Sequence, residues 1–344
     1  MVQYVPSFFT KMSELHRIAA AMVEKGKGIL AIDESIGTCT KRFKGIGVES
    51  NEENRRKYRQ LLVTAPTEEY LSGMILFDET LRQRTDDGVP FPEVLQKKGI
   101  LPGIKVDTGA HNLALHPGEK VTEGLDGLRG RLQEYKTLGA VFAKWRAVIT
   151  IDTEKHLPSQ ACYKANAHAL ARYAALCQEA DMVPMVEPEI LYDGSHDIST
   201  CKQVSETAWK TLFAELAEQG VDMKGVILKT SFVLNGKQSG KKNTAEEVAK
   251  ETVDSFLKTV PHDLGGIVFL SGGLTPEEST AFLNEINKTY TDLPWNISFS
   301  YGRGIQQDAL VQWSGNSSAE NIAAAQELLV KRARDNALAT KGEA

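Results

Sequence analysis

The sequence contains no stretch approaching the roughly 20 consecutive apolar residues that a membrane-spanning helix needs, which excludes such a span. It has no basic excess either: 40 Lys and Arg face 45 Asp and Glu, for a net charge of -5. A nucleic-acid or anionic-membrane surface spread over the whole protein is therefore excluded, and any anion site must be local. The four cysteines, Cys39, Cys162, Cys177 and Cys201, form no C-x-x-C pair, so they outline neither a zinc site nor a disulfide framework and read as reduced thiols. The seven histidines make no H-x-H or H-E-x-x-H arrangement. Metal catalysis fits poorly, no metal or other cofactor is expected, and the histidines read as surface residues with His196 the exception at a rim. Met1 to Arg17 lacks the uninterrupted apolar core of a secretory signal, so the cytoplasm is the expected compartment.

What is present is a chain of 344 residues, 42% hydrophobic and 25% charged, ordinary for a globular protein with a sizeable core. Eight short β-rich runs recur: Gly28 to Asp33, Ser72 to Phe77, Gly103 to Asp107, Val141 to Ile151, Val183 to Leu191, Val226 to Phe232, Gly266 to Leu270 and Ile297 to Tyr301. Helix-like patterns lie between them, as in Asn166 to Ala180, Ser205 to Gln219, Ala245 to Val260 and Pro276 to Asn287, and such alternation implies a parallel sheet. Thr244 with Glu247, Thr275 with Glu278, and Ser317 with Glu320 have capping-box spacing, in which a hydroxyl and an acid satisfy the exposed N–H groups of a helix start. Extra helices are expected near residues 8–24 and 318–339, before and after the eight units. No linker divides the chain, so residues 1–344 read as one α/β domain. An open doubly wound sheet is the alternative; eight units favour a closed (β/α)8 barrel.

Barrels of this kind place chemistry at the C-terminal ends of their strands, and nearly every strand candidate ends in polar residues that a purely structural strand would avoid. The first runs into Asp33-Glu34-Ser35; later ones carry Lys105 and Asp107, Lys144 and Arg146, Glu187 and Glu189, and Lys229; Ser271 follows the seventh and Arg303 the eighth. Residues two apart on a strand share a face, so each of these pairs projects together. A single pair reads most simply as a salt bridge, but recurrence on successive strands reverses that preference. Lys229 sits in an apolar run where burial disfavours an ammonium, and a neutral amine is a nucleophile. Ser271-Gly272-Gly273 and Gly302-Arg303-Gly304 lie in the two loops where barrels commonly bind phosphate through backbone N–H groups and a cation.

Together these segments closely resemble the class I fructose-bisphosphate aldolases. The resemblance is carried by Gly28-Ile29-Leu30-Ala31-Ile32-Asp33-Glu34-Ser35, Gly103-Ile104-Lys105-Val106-Asp107, Gly124-Leu125-Asp126-Gly127-Leu128, Phe142-Ala143-Lys144-Trp145-Arg146, Val186-Glu187-Pro188-Glu189-Ile190-Leu191, Leu228-Lys229, Ser271-Gly272-Gly273 and Ser300-Tyr301-Gly302-Arg303, in the family's order. It implies reversible, metal-independent cleavage of fructose 1,6-bisphosphate to dihydroxyacetone phosphate and glyceraldehyde 3-phosphate, with Lys229 forming a Schiff base. By the same resemblance Glu187 handles protons, Asp33 takes the C4 hydroxyl proton, and Lys144 orients charge with Glu189 as its ion-pair support. The C1 phosphate would meet Ser271, Gly272, Gly273, Gly302 and Arg303. The C6 phosphate would lie near Lys105, Ser35 and Thr38, with Arg146 adding positive field. The resemblance further implies a homotetramer and a phosphorylated sugar, with neither nucleic acid nor membrane, as partners.

Two departures stand out. The eukaryotic branch ends in a tail with a terminal tyrosine that assists enamine protonation, whereas the last tyrosine here is Tyr301, so that role is expected to be vacant. His111 to Lys120 also differs from animal homologues and suggests a bacterial-type branch. Rival readings are a Schiff-base lyase for another phosphorylated ketose, a barrel kept as a scaffold, and a metal-dependent aldolase.

Overall fold

The computed structural model describes residues 8–344; the first seven residues of the segment read for a secretory signal lie outside them. Among the described residues ten strands occur: β1 (Gly28–Ile32), β2 (Leu71–Leu76), β3 (Leu101–Lys105), β4 (Gly109–Asn112), β5 (Lys120–Glu123), β6 (Phe142–Ile149), β7 (Val183–Ile190), β8 (Ile227–Thr230), β9 (Gly266–Phe269) and β10 (Ile297–Tyr301). Eight of them close into a parallel barrel in the order β1-β10-β9-β8-β7-β6-β3-β2, which leaves that sheet without an edge. These eight strands are the eight candidates of the sequence. The ninth and tenth, β4 and β5, form a separate antiparallel hairpin that the sequence reading did not anticipate.

Twelve α-helices accompany them among the described residues: α1 (Phe8–Met22), α2 (Ile36–Lys44), α3 (Glu52–Thr64), α4 (Asp78–Arg82), α5 (Phe91–Lys97), α6 (Leu128–Thr137), α7 (Gln160–Glu179), α8 (Ile198–Glu218), α9 (Ala245–Thr259), α10 (Pro276–Thr289), α11 (Arg303–Trp313) and α12 (Ala319–Ala339). Both extra helices, α1 and α12, stand where they were expected. Thr275 and Glu278 make the full reciprocal capping box of α10, while Thr244 receives the Glu247 N–H at the start of α9. The third cap is displaced by one residue: Ser318, not Ser317, caps α12, and it accepts from Asn321. All four cysteines are free and buried. Among the described residues no helix is long and apolar enough to cross a membrane.

One structural feature decides where the site can be. Along each strand alternate residues face the lumen, and at the N-terminal end these are apolar: Ile29, Ile75, Phe142, Val183, Met185, Ile227 and Val268 pack with Leu15, Ile18, Ala19, Met22 and Val23 of α1. Phe142 fits only because its neighbours on β2 and β3 are Gly73 and Gly103; a Cβ at Gly103 would lie 2.1 Å from the Phe142 ring. The floor of the barrel is thus solid, and the polar lumen residues are stacked above it toward the C-terminal mouth.

Candidate active site

Two residues beyond the apolar floor, the lumen turns charged. Lys144 on β6, with its side chain 4% exposed, places Nζ 2.7 Å from Asp33 Oδ2, just past β1, and 3.1 Å from Glu187 Oε2 on β7. Lys229 on β8 lies 3.2 Å from the other oxygen, Glu187 Oε1. Two cations therefore share one buried carboxylate, and one of them holds a second carboxylate as well. One layer higher, Lys105 donates to Asp107 Oδ1 at 2.6 Å, Asp107 Oδ2 accepts the Arg146 backbone N–H at 3.2 Å, and Arg146 is bonded to Glu189. The register explains these partners. Lys144 stands opposite Met185 and Arg146 opposite Glu187, so each cation reaches the carboxylate two residues further along β7. Glu189 consequently supports Arg146, not Lys144, correcting the pairing that the resemblance implied.

Charges this deep persist only when paired. Burial pushes the Asp33 carboxyl up, but the ammonium groups of Lys144 and Lys229 outweigh it, and the pKa lies well below the usual carboxylate range. Glu187 behaves alike: burial raises its pKa, while Lys144, Lys229 and Arg146 bring the net result below the ordinary value. For Lys144 burial favours the neutral amine, yet Asp33, Glu187 and Asp107 prevail and its pKa is raised. Lys144 is thus a fixed cation flanked by fixed anions, and the site is electrostatically preorganised.

The cleft over these groups has a volume of about 590 Å³. Asp33, Ser35, Thr38, Lys105, Lys144, Arg146, Glu187, Glu189, Lys229, Ser271, Gly272 and Gly302 all line it; Gly273 and Arg303 do not, and Arg303 is exposed. Ser35 is the N-cap of α2 and accepts from the Thr38 N–H, with the two hydroxyl oxygens 3.2 Å apart. Across the mouth, α11 begins at Gly302-Arg303 and no side chain caps its first N–H groups. Both helix starts turn the positive end of a helix dipole to the cleft, an arrangement suited to anions. Gly272 and Gly273 have φ of +47° and +97°, backbone geometry that side chains resist, in a turn closed by the Leu274 N–H donating to the Ser271 carbonyl at 2.8 Å.

The sequence reading missed Arg42, which lines the cleft from α2, and Ser300 on β10, whose buried hydroxyl has no partner among the described residues. A signal for Ser300 was available, because it alternates with Gly302 on the lumen face. His196 is buried, not on a rim: both ring nitrogens lack partners among the described residues, and burial lowers its pKa. Among those residues no group of His, Cys, Asp and Glu is arranged to hold a metal.

Residues 14–344 match the family model for class-I fructose-bisphosphate aldolase. The chain belongs to the class-I fructose-bisphosphate aldolase family. It is 57% identical over 333 residues to a probable class 1 fructose-bisphosphate aldolase of Xanthomonas campestris pv. campestris, covering 96% of this chain and 98% of that protein. It is 49% identical to the cytoplasmic isozyme of Spinacia oleracea, over 96% of this chain and 91% of the relative. The solved Plasmodium falciparum aldolase, in ternary complex with TRAP and a small-molecule inhibitor, superimposes with a TM-score of 0.95 at 44% identity, covering 99% of this chain and 97% of that one. As a member of this class the enzyme is a carbon-carbon lyase of glycolysis and gluconeogenesis that cleaves fructose 1,6-bisphosphate through a lysine Schiff base and without a metal.

Proposed function

We propose that Lys229 is the lysine that attacks the C2 ketone of fructose 1,6-bisphosphate. The observation that carries this reading is the position of its Nζ, 3.2 Å from Glu187 Oε1, in a buried layer where Lys144 neutralises both nearby carboxylates. Loss of water from the carbinolamine needs a proton donor, and its formation needs an acceptor; Glu187 serves both steps. The resulting iminium is an electron sink. Asp33, ionised because Lys144 stabilises its anion, takes the C4 hydroxyl proton; the C3–C4 bonding pair moves into the iminium, glyceraldehyde 3-phosphate leaves, and an enamine remains. Protonation at C3 and hydrolysis release dihydroxyacetone phosphate and restore the free amine. Lys144 fixes the carboxylates throughout, and the Arg146–Glu189 pair shapes the wall above them.

The phosphates are assigned to the two helix starts. Ser271, Gly272, Gly273, Gly302 and Arg303 would hold the C1 phosphate, which requires the exposed Arg303 to swing toward the cleft, and Lys105, Ser35 and Thr38 the C6 phosphate. The closed barrel with its packed terminal helices supports one domain over residues 1–344. A homotetramer working in the cytoplasm, with a phosphorylated sugar as its partner and no nucleic-acid or membrane surface, is the reading that family membership and the net negative charge favour.

Borohydride reduction after incubation with dihydroxyacetone phosphate, followed by peptide mass spectrometry, tests the assignment. The expected result is a stable adduct on Lys229 that is absent without substrate. An adduct on another lysine, or none in a folded protein whose cleavage activity EDTA abolishes, would overturn it.

A further inference from the structure

Beside Asp33 lies a buried polar cluster to which the mechanism above gives no role. Its centre is Glu34, whose side chain is 7% exposed. Glu34 Oε1 accepts from Arg42 Nη1 at 2.5 Å and from Gln306 Nε2 at 2.7 Å, while Oε2 stands 2.7 Å from Arg59 Nη1. Arg59 also donates through Nη2 to the Glu34 carbonyl at 3.2 Å. Gln306, fully buried in the first turn of α11, donates to the Ala31 carbonyl at 2.6 Å and accepts the Tyr58 hydroxyl at 2.9 Å. Four elements, the end of β1 together with α2, α3 and α11, thereby meet on one carboxylate.

The consequence follows from where these bonds fall on the backbone. Asp33 has left the ladder of β1 and has not entered α2, so no regular hydrogen bonding fixes it. The Ala31 carbonyl before it accepts from Gln306; after it the Glu34 carbonyl accepts from Arg59, and the Glu34 carboxylate accepts from Arg42 and Gln306 and pairs with Arg59 by charge without a hydrogen bond. Charge-assisted bonds in a dry setting are directional as well as strong. They set the angle at which the Asp33 side chain enters the lumen, and a misplacement of about 1 Å in such a group can cost on the order of a hundredfold in rate.

We propose that Glu34 is a positioning residue for carbon-carbon cleavage: its carboxylate, seated between Arg42, Arg59 and Gln306, clamps the turn that carries Asp33 at the place where the C4 hydroxyl proton departs. The proposal rests on the reading of Asp33 as the base for that proton. It separates two steps that a general loss of structure would depress together, since attack by Lys229 on a ketone does not need Asp33, whereas bond cleavage does.

The test compares the full-length wild-type enzyme with Glu34→Gln, Tyr58→Phe and Asp33→Asn. Borohydride trapping with dihydroxyacetone phosphate reads Schiff-base formation, and steady-state kinetics with fructose 1,6-bisphosphate read cleavage. For Glu34→Gln the expected result is wild-type adduct formation on Lys229, with kcat for cleavage reduced on the order of tenfold to a hundredfold and KM changed by less than about threefold. Tyr58→Phe, which removes the shorter of the two hydrogen bonds that Gln306 Oε1 accepts, is expected to lower kcat by about fivefold, with the adduct retained. A Glu34→Gln enzyme whose kcat stays within about twofold of wild type, or in which adduct formation and cleavage fall together, overturns the proposal. If Glu34→Gln does not accumulate as folded protein, Tyr58→Phe decides by the same comparison: an unchanged kcat overturns the clamp. Asp33→Asn keeps the two readings apart. Cleavage that survives in Asp33→Asn removes the base assignment and the clamp with it, whereas cleavage lost there but intact in Glu34→Gln removes the clamp alone.

Discussion

Replacing Lys144 by methionine keeps the length of the side chain and deletes the cation that Asp33 and Glu187 share. The three side chains are 4%, 12% and 4% exposed, so water cannot take over the role of the ammonium. Removing one partner from a buried ion pair costs about 3–5 kcal/mol. Glu187 keeps Lys229 at 3.2 Å, which leaves Asp33 to bear most of the loss and favours the lower part of that range. A chain of this size has a melting entropy of about 0.7 kcal/mol per kelvin, so the thermal midpoint of Lys144→Met should drop by about 4–6 °C near neutral pH. The pH dependence carries the sharper signature. In the intact enzyme both carboxyls have lowered pKa values, so their stabilisation is complete above the unfolded-state value and disappears only as pH falls through the folded one. Without Lys144, burial dominates at Asp33 and its folded pKa rises above the unfolded value, so acidification returns stability to the variant that these carboxylates do not return to the wild type, while the effect of buried His196 is common to both. Calorimetric scans from about pH 7 down to about pH 4.5 should therefore show the gap between the proteins widest at the neutral end and narrowing with acid. A gap that is constant over this interval, or a midpoint shift below about 1 °C, would refute the shared-cation account.

Gly103→Ala would bring a methyl group to 2.1 Å from the Phe142 ring, in a floor where that ring is fully buried; urea denaturation should show a loss of about 1–3 kcal/mol, and an unchanged midpoint would mean the floor is not close-packed. At the surface, Thr275→Ala removes one half of a reciprocal cap in which Thr275 accepts the Glu278 N–H at 3.1 Å and donates its own N–H to the Glu278 carboxylate at 2.8 Å; the expected cost is about 1 kcal/mol by the same assay, and no change would show that the remaining bond suffices.

The barrel was legible because strands buried on both faces read as short continuous apolar runs, so all eight appear in the sequence with ends close to those observed. The β4–β5 hairpin was not, since Gly109-Ala110-His111-Asn112 lacks β-branched residues, so the turn signal of Pro117-Gly118 had no recognisable strand before it. At α12 the two serines 317 and 318 are equivalent as sequence, and only the backbone decides which accepts from the helix. Residues that share a face could be read for the site as well, because alternation along a strand is fixed by covalent geometry. Their partners on the next strand could not: the choice of Glu187 for Lys144 and Glu189 for Arg146 depends on a two-residue diagonal offset between β6 and β7 that no local pattern encodes. Arg42 was missed for a related reason, since a helix residue reaches the mouth only through the angle at which α2 leaves β1.

The solid floor makes the lumen a blind well with a single opening. Water and protons reach Asp33, Lys144, Glu187 and Lys229 from the mouth, and a bisphosphate held at both helix starts, as proposed above, would lie across that opening. While it was in place, each proton released by one group would be taken up by another in the same chamber. On that placement the reaction would run on a closed proton inventory, set at the moment the sugar arrives and exchanged with the surroundings only when a product leaves.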